Sequence, residues 1–143
     1  MVKKQKTKAR DALLGMIKEQ QDSQGHVSRE AMEHLTQSFS LPLGEVYGVA
    51  TFYSFLSTQP QGRHVIRVCQ SMPCHLQDSG QVVDWISQEL CLEPGQTTPD
   101  GRFTLEVTNC IGACDQAPAM LIDDEVYGGL DPQKVAQILR SMD

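Results

Sequence analysis

The chain has 143 residues, of which 40% are hydrophobic and 21% charged, a composition typical of a globular protein that buries a core without cross-links. Its net charge of −6 argues against nucleic acid as the main partner, because binding to phosphates needs a basic surface. No stretch approaches the ~18 apolar residues of a membrane-spanning helix, and no apolar run follows the basic start as in a signal peptide. We therefore expect a cytoplasmic protein without membrane insertion.

The first ten residues are basic, with five of the 12 lysines and arginines and no acid. They contain Lys3, Lys4, Lys6, Lys8 and Arg10. Chain ends of this composition are usually solvated and frayed. The alternative is a charged tail that touches an acidic partner.

Residues 1–58 are predicted to form a helical segment. Apolar residues recur at helical spacing in 9–21, and Ser28 is placed as the N-cap of a second helix. A third helix follows Pro42 and is predicted to cover residues 43–56, LGEVYGVATFYSFL, which are rich in aromatic side chains. A helix this apolar is either an ordinary core helix or is covered by another surface.

Residues 59–62 (QPQG) break the helical pattern, and a second region is predicted at 62–143. Its elements are a strand at 64–68, a helix capped by Ser79, strands at 103–108, 119–122 and 125–127, and a last helix capped by Asp131. A strand–helix–strand unit takes a right-handed crossover, so at least one strand pair is expected to be parallel. The predicted fold class is α/β (α+β), with a helical N-terminal segment followed by a thioredoxin-like mixed-sheet domain.

Four of the five cysteines form two pairs, each directly after a predicted strand. Cys69 and Cys74 are separated by four residues, and Cys110 and Cys114 by three. Because the ends of neighbouring strands lie side by side, we expect the two pairs to converge. Thiols stay reduced in the cytoplasm, so the pairs indicate a metal or redox site rather than disulfides.

The spacing within the pairs favours an iron–sulfur cluster but leaves other sites open. Both gaps suit two loops around a two-iron centre and are wider than usual zinc pairs. A zinc site, a dithiol redox centre and unrelated cysteines remain alternatives, although no C-x-x-C motif is present. No G-x-G-x-x-G or P-loop motif predicts a nucleotide site. Cys91 is predicted to be a buried or half-buried apolar residue, and His75 to lie at the surface.

The sequence segments around the cysteines resemble those of a known family. CQSMPC, TPDGRFTLEVTNCIGAC and APAML, with YGVATFYSFL upstream, resemble the thioredoxin-like 2Fe-2S ferredoxin family over nearly the whole chain. Members of this family are subunits of respiratory complex I, of NAD-linked and electron-bifurcating hydrogenases, and of NAD-dependent formate dehydrogenases. The resemblance implies that Cys69, Cys74, Cys110 and Cys114 ligate one 2Fe-2S cluster.

The resemblance also implies a function and partners. The chain is expected to be a non-catalytic electron-transfer subunit of an NAD(P)(H)-linked oxidoreductase. Its expected partners are a flavoprotein subunit that binds FMN and NAD(H), on which the helical segment 1–58 would dock, and a further iron–sulfur or hydrogenase-type subunit. The short chain favours a soluble hydrogenase, a class that includes the electron-bifurcating enzymes. The alternatives are the equivalent subunit of complex I or of a formate dehydrogenase and, from another class, a zinc-stabilised interaction module.

Overall fold

A computed structural model describes residues 2–142, with side chains from residue 12 onward. The chain divides into two compact units, residues 1–60 and 61–143, and each is described by itself. In the described part, no helix combines the length and apolar character needed to cross a membrane. The side chains of the basic start, Lys3 to Arg10, lie outside the described residues.

The first unit consists of three helices around a small apolar core. Helix α1 spans Val2–Gln24, α2 spans Arg29–Phe39 and α3 spans Leu43–Phe52. Helix α2 begins at the predicted cap, since the Ser28 hydroxyl accepts the N–H of Ala31 at 3.1 Å. The buried side chains that hold these helices together are Leu13, Ile17, Val27, Met32, Leu35, Leu41, Val46 and Ala50.

Helix α3 is shorter than predicted. It ends at Phe52, and Tyr53 adopts an extended backbone with φ −92° and ψ 116°. The chain then turns, because the N–H of Leu56 donates to the carbonyl of Tyr53 at 3.0 Å. The carbonyl of Ser57 next accepts the N–H of Val27 at 2.7 Å. The prediction of a helix to residue 56 was wrong because this tertiary pairing overrides the local pattern.

The second unit is built on a four-stranded mixed sheet. The strands are β1 (His64–Cys69), β2 (Phe103–Thr108), β3 (Met120–Ile122) and β4 (Glu125–Tyr127), in the spatial order β2-β1-β3-β4. Strands β1 and β2 are parallel, with His64 opposite Phe103 and Cys69 opposite Thr108. The pairs β1–β3 and β3–β4 are antiparallel. This arrangement confirms the predicted mixed α/β fold class and its parallel pair.

Three helices complete this unit: α4 (Met72–His75), α5 (Ser79–Leu90) and α6 (Pro132–Ser141). Ile66 and Val68 of β1 are fully buried in one core with Ile86 of α5 and Leu139 of α6. Because strand side chains alternate, Arg67 and Cys69 belong to the opposite face of the sheet. Cys69 and the helix-covered core therefore lie on different sides of β1.

Two helix starts differ from the prediction. The short helix α4 was not predicted, although Ser71 stands at its N-cap and Pro73 lies in its first turn, which is a common start signal. Helix α5 is capped by Asp78 in the left-handed region, with φ 59°, rather than by Ser79. Ser79 is instead the first helical residue and is fully buried.

The start of α6 depends on one side-chain cap, which can be tested. Asp131 Oδ1 accepts the N–H of Lys134 at 2.8 Å. We expect Asp131→Ala to lower the free energy of unfolding by about 1 kcal/mol, because the N–H loses its acceptor. Asp131→Asn retains an acceptor and should stay close to the unsubstituted protein. Urea unfolding measures both, and equal losses in the two variants would contradict the capping role.

Candidate metal centre

The parallel pairing of β1 and β2 brings the cysteine-bearing loops to one edge of the sheet. Cys69 is the last residue of β1 and stands opposite Thr108, the last residue of β2. The N–H of Gln70 extends the pairing by donating to the carbonyl of Thr108 at 3.0 Å. Since the carboxyl ends of parallel strands meet at the same edge, the loop that carries Cys110 leaves beside Cys69.

The first pair, Cys69 and Cys74, is buried, with each residue 1% exposed. The N–H of Cys69 donates to the carbonyl of Ala119 at 3.2 Å, which ties the end of β1 to the start of β3. Ser71 then adopts an extended conformation at the cap of α4, and its carbonyl accepts the N–H of Cys74 at 2.5 Å. This tight turn returns Cys74 toward Cys69.

The second pair, Cys110 and Cys114, is exposed. Their Sγ atoms are 3.6 Å apart, and Cys114 begins a single 3-10 turn that ends at Gln116. Gly112 lies between them with φ +84°, and its N–H donates to Cys110 Sγ at 3.4 Å. The positive φ turns the chain back within three residues, which brings the two sulfurs together.

Hydrogen bonds favour the thiolate form of Cys69. Burial raises the pKa of this thiol, but donors outweigh that effect and hold the pKa below its usual value. The donors are the N–H of Ser71, the thiol of Cys74, the N–H of Ile111 and the hydroxyl of Ser71. Ile111 belongs to the loop of the second pair, so this bond links the two cysteine loops.

Two further thiols, those of Cys74 and Cys114, have pKa values above the usual range. Burial and then the hydrogen bond with Cys69 raise the pKa of Cys74, and the charges of Cys69 and Cys114 add to the effect. The hydrogen bond with Cys110 raises the pKa of the exposed Cys114, and the charges of Cys110 and Cys69 add to the effect. Four thiolates at this edge therefore repel one another and need a cation to hold them together.

The distance between the sulfurs of Cys110 and Cys114 fits two thiolates on one metal ion. Two sulfurs bound tetrahedrally at about 2.3 Å from one metal lie roughly 3.8 Å apart, close to the 3.6 Å between Cys110 and Cys114. Among the described residues, no three His, Cys, Asp or Glu side chains are grouped closely enough to hold a single ion. Cys110 and Cys114 thus form one close sulfur pair, and a 2Fe-2S cluster uses two thiolates on each iron.

The remaining candidates lie away from this centre or at its border. Cys91 is exposed, contrary to the prediction. It occupies the left-handed C-cap of α5, with φ 52°, and Leu92 is buried instead. His75 is exposed at the end of α4, as predicted. The contributions of Ser71 and Ile111 were missed, because main-chain donors cannot be recognised from residue type.

Comparison with known proteins identifies the family. The sequence profile of the thioredoxin-like 2Fe-2S ferredoxins matches residues 1–143. The chain belongs to this family, which confirms the resemblance and the thioredoxin-like fold.

Individual relatives are components of larger oxidoreductases. The chain is 43% identical over 132 residues to a component of the NADH-quinone oxidoreductase of Pseudomonas aeruginosa, covering 92% of this chain and 80% of the relative. It is 32% identical over 127 residues to HndA, a component of the NADP-reducing hydrogenase of Solidesulfovibrio fructosivorans, covering 89% and 74%. A solved NAD+-reducing NiFe-hydrogenase is similar, with 27% identity and a TM-score of 0.75. That match covers 90% of this chain and 22% of the hydrogenase chain.

The loop of the second pair offers a test of its backbone geometry. No atom lies within 4 Å of a Cβ built on Gly112, so only its positive φ opposes a side chain. We expect Gly112→Ala to lower the free energy of unfolding by roughly 1–2 kcal/mol. Gly80→Ala is the matched control, since Gly80 lies in α5 with equally open space, and it should be neutral or stabilising. Urea unfolding of the two variants measures the difference, and equal stability would refute the strain.

Proposed function

We propose that this chain is an electron-transfer subunit of a multisubunit NAD(P)(H)-linked oxidoreductase. It would hold one 2Fe-2S cluster through Cys69, Cys74, Cys110 and Cys114. The observation that carries the proposal is the meeting of both cysteine pairs at one sheet edge, in a chain of the 2Fe-2S family. No substrate chemistry on this chain is proposed.

The residues of the chain have distinct roles in this proposal. When bound, the cluster supplies a site that accepts and releases one electron at a time. Cys69 and Cys74 hold it on the buried side and exclude water there. Cys110 and Cys114 hold it at the surface, where an electron passes to or from a partner. The amides of Ser71 and Ile111 and the hydroxyl of Ser71 orient Cys69 and disperse its charge.

The proposed partner is a flavoprotein that binds FMN and NAD(H). A flavin takes two electrons from NADH as a hydride and can pass them singly to an iron–sulfur cluster. The helical unit presents an apolar surface suited to docking, with Tyr47, Phe52, Tyr53 and Phe55 between 43% and 78% exposed. A shallow cavity beside Phe52 and Tyr53 is lined further by Leu13, Leu14 and Val49. Exposed apolar patches of this kind are typical of protein interfaces.

An NADH-quinone oxidoreductase is our first candidate for the whole complex, because the relative from Pseudomonas aeruginosa belongs to that enzyme and is 43% identical. A hydrogenase is the second candidate, supported by the relative HndA and by the similarity to the NAD+-reducing hydrogenase. The short chain favoured a hydrogenase, but these relatives do not single it out. In either case the chain would work in the cytoplasm as part of the assembly, together with a further iron–sulfur subunit.

The ligand assignment is tested by spectroscopy of the purified protein. We expect visible absorption and an EPR signal after reduction with dithionite, from two irons and two sulfides per chain. Substitution of any one of the four proposed cysteine ligands by serine, for example Cys110→Ser, should remove or strongly alter both signals, because one thiolate ligand is lost. Cys91→Ser is the control and should change neither.

A colourless protein with one zinc ion per chain would reverse the assignment in favour of the zinc-stabilised module. Unchanged spectra in all four ligand variants would also refute it.

The docking surface is tested by the recovery of the complex from cells. We expect Phe52→Ser to reduce co-purification of a flavin-containing subunit at least several-fold, since exposed aromatic side chains often dominate interface energies. Val126→Ser removes an apolar side chain with 44% exposure from β4 of the other unit and serves as the control. Equal recovery of the flavoprotein with both variants would exclude this surface.

A further inference from the structure

An ion pair that is largely buried lies on the sheet face that carries Cys69. Arg67 of β1 stands opposite Glu106 of β2 in the parallel register, and its Nε donates to Glu106 Oε2 at 3.0 Å. The other oxygen of Glu106 accepts the side-chain amide of Gln61 at 2.6 Å. The side chain of Arg67 is 8% exposed and that of Glu106 27%. These contacts fix both charges in place and remove most of their water.

The pair lies directly behind the first cysteine. Arg67 and Cys69 are two residues apart on β1, so strand alternation puts them on one face, roughly 6.6 Å apart along the strand. On β2, Glu106 lies two residues before Thr108, just as Arg67 lies two residues before Cys69. Thr108 stands opposite Cys69 in the parallel register. The two strands that lead to the cysteine pairs therefore carry this ion pair one side-chain position before the centre.

The sign of the buried charge is unexpected for an acidic chain. Among the side chains described from residue 12 onward, Arg67 is the charged residue that is buried. A buried ion pair adds little to stability compared with apolar residues of similar volume. Another ion pair between distant parts of this unit, Arg140 with Glu89, lies at the surface of the helices. Stability alone therefore gives no reason for a guanidinium at this position.

We propose that Arg67 is the counter-cation of the cluster and that Glu106 moderates its effect, so that the pair sets the reduction potential. The inference rests on the proposed function, since it requires the cluster at Cys69. Reduction adds one negative charge to a centre that already carries four thiolates. A buried positive charge nearby stabilises the reduced state, and a nearby carboxylate destabilises it. The effect of Arg67 is the larger, because it is more buried and lies on the same strand as Cys69.

The experiment is a redox titration of the purified protein with its cluster, followed by EPR and visible absorption. We expect Arg67→Gln to shift the midpoint potential to lower values, because a positive charge is lost. Glu106→Gln keeps the hydrogen-bonding shape but loses a negative charge, so it should shift the potential to higher values. Arg67→Lys retains the charge and should restore a potential near that of the unsubstituted protein. The double variant with glutamine at both positions should lie between the single variants.

The matched control is Glu89→Gln, which neutralises a carboxylate of the exposed ion pair on the helices and should leave the potential unchanged. Unchanged potentials in both single variants, or shifts in the same direction, would overturn the inference. If Arg67→Gln fails to retain the cluster, Glu106→Gln decides: a higher potential supports the inference and an unchanged one overturns it. An unsubstituted protein without a cluster would overturn the proposed function as well, so the two failures can be told apart.

Discussion

The hydrogen-bonded pairing of β1 with β2 is the constraint on which the rest of the sheet unit depends. Six residues of each strand pair in register, from His64 opposite Phe103 to Cys69 opposite Thr108. A shift of one residue would turn Cys69 to the other face of the sheet and separate the two cysteine loops. The turn through Ser71 and the positive φ of Gly112 act only within this frame. Local loop geometry brings together the two cysteines of each pair, and the parallel register brings the two pairs to the same edge of the sheet.

Electrostatics explains why such a site needs more than cysteines. Burial raises the pKa of Cys74, and the neighbouring thiols raise the pKa of both Cys74 and Cys114. The chain offsets this repulsion with main-chain and hydroxyl donors to Cys69, and we propose that the guanidinium of Arg67, held by Glu106, adds a positive charge. Acidic side chains otherwise outnumber basic ones, 18 to 12. The polar donors and the buried guanidinium of Arg67 thus form a locally positive environment, whereas the net charge of the chain is negative.

Regular patterns in the sequence predicted most of the fold. Alternating residues located β1 and β2, the crossover rule predicted their parallel pairing, and Asp131 before Pro132 marked the start of α6. The cysteine positions alone indicated where the site lies. The early end of α3 could not be predicted, because it follows from the pairing of Ser57 with Val27 across the unit. The exposure of Cys91 was missed for a similar reason, since a left-handed cap reverses the direction of its side chain.

The different burial of the two cysteine pairs has a consequence for how the cluster is put in and lost. Cys69 and Cys74 are enclosed, whereas Cys110 and Cys114 are open to solvent. If the four cysteines hold a cluster as proposed, a protein that delivers it would meet the exposed sulfurs of Cys110 and Cys114 first. Oxidants and chelators arrive from the same side. Insertion of the cluster and its damage would therefore both occur at the exposed pair, Cys110 and Cys114. A partner that covers this loop in an assembly would protect the centre only after loading is complete.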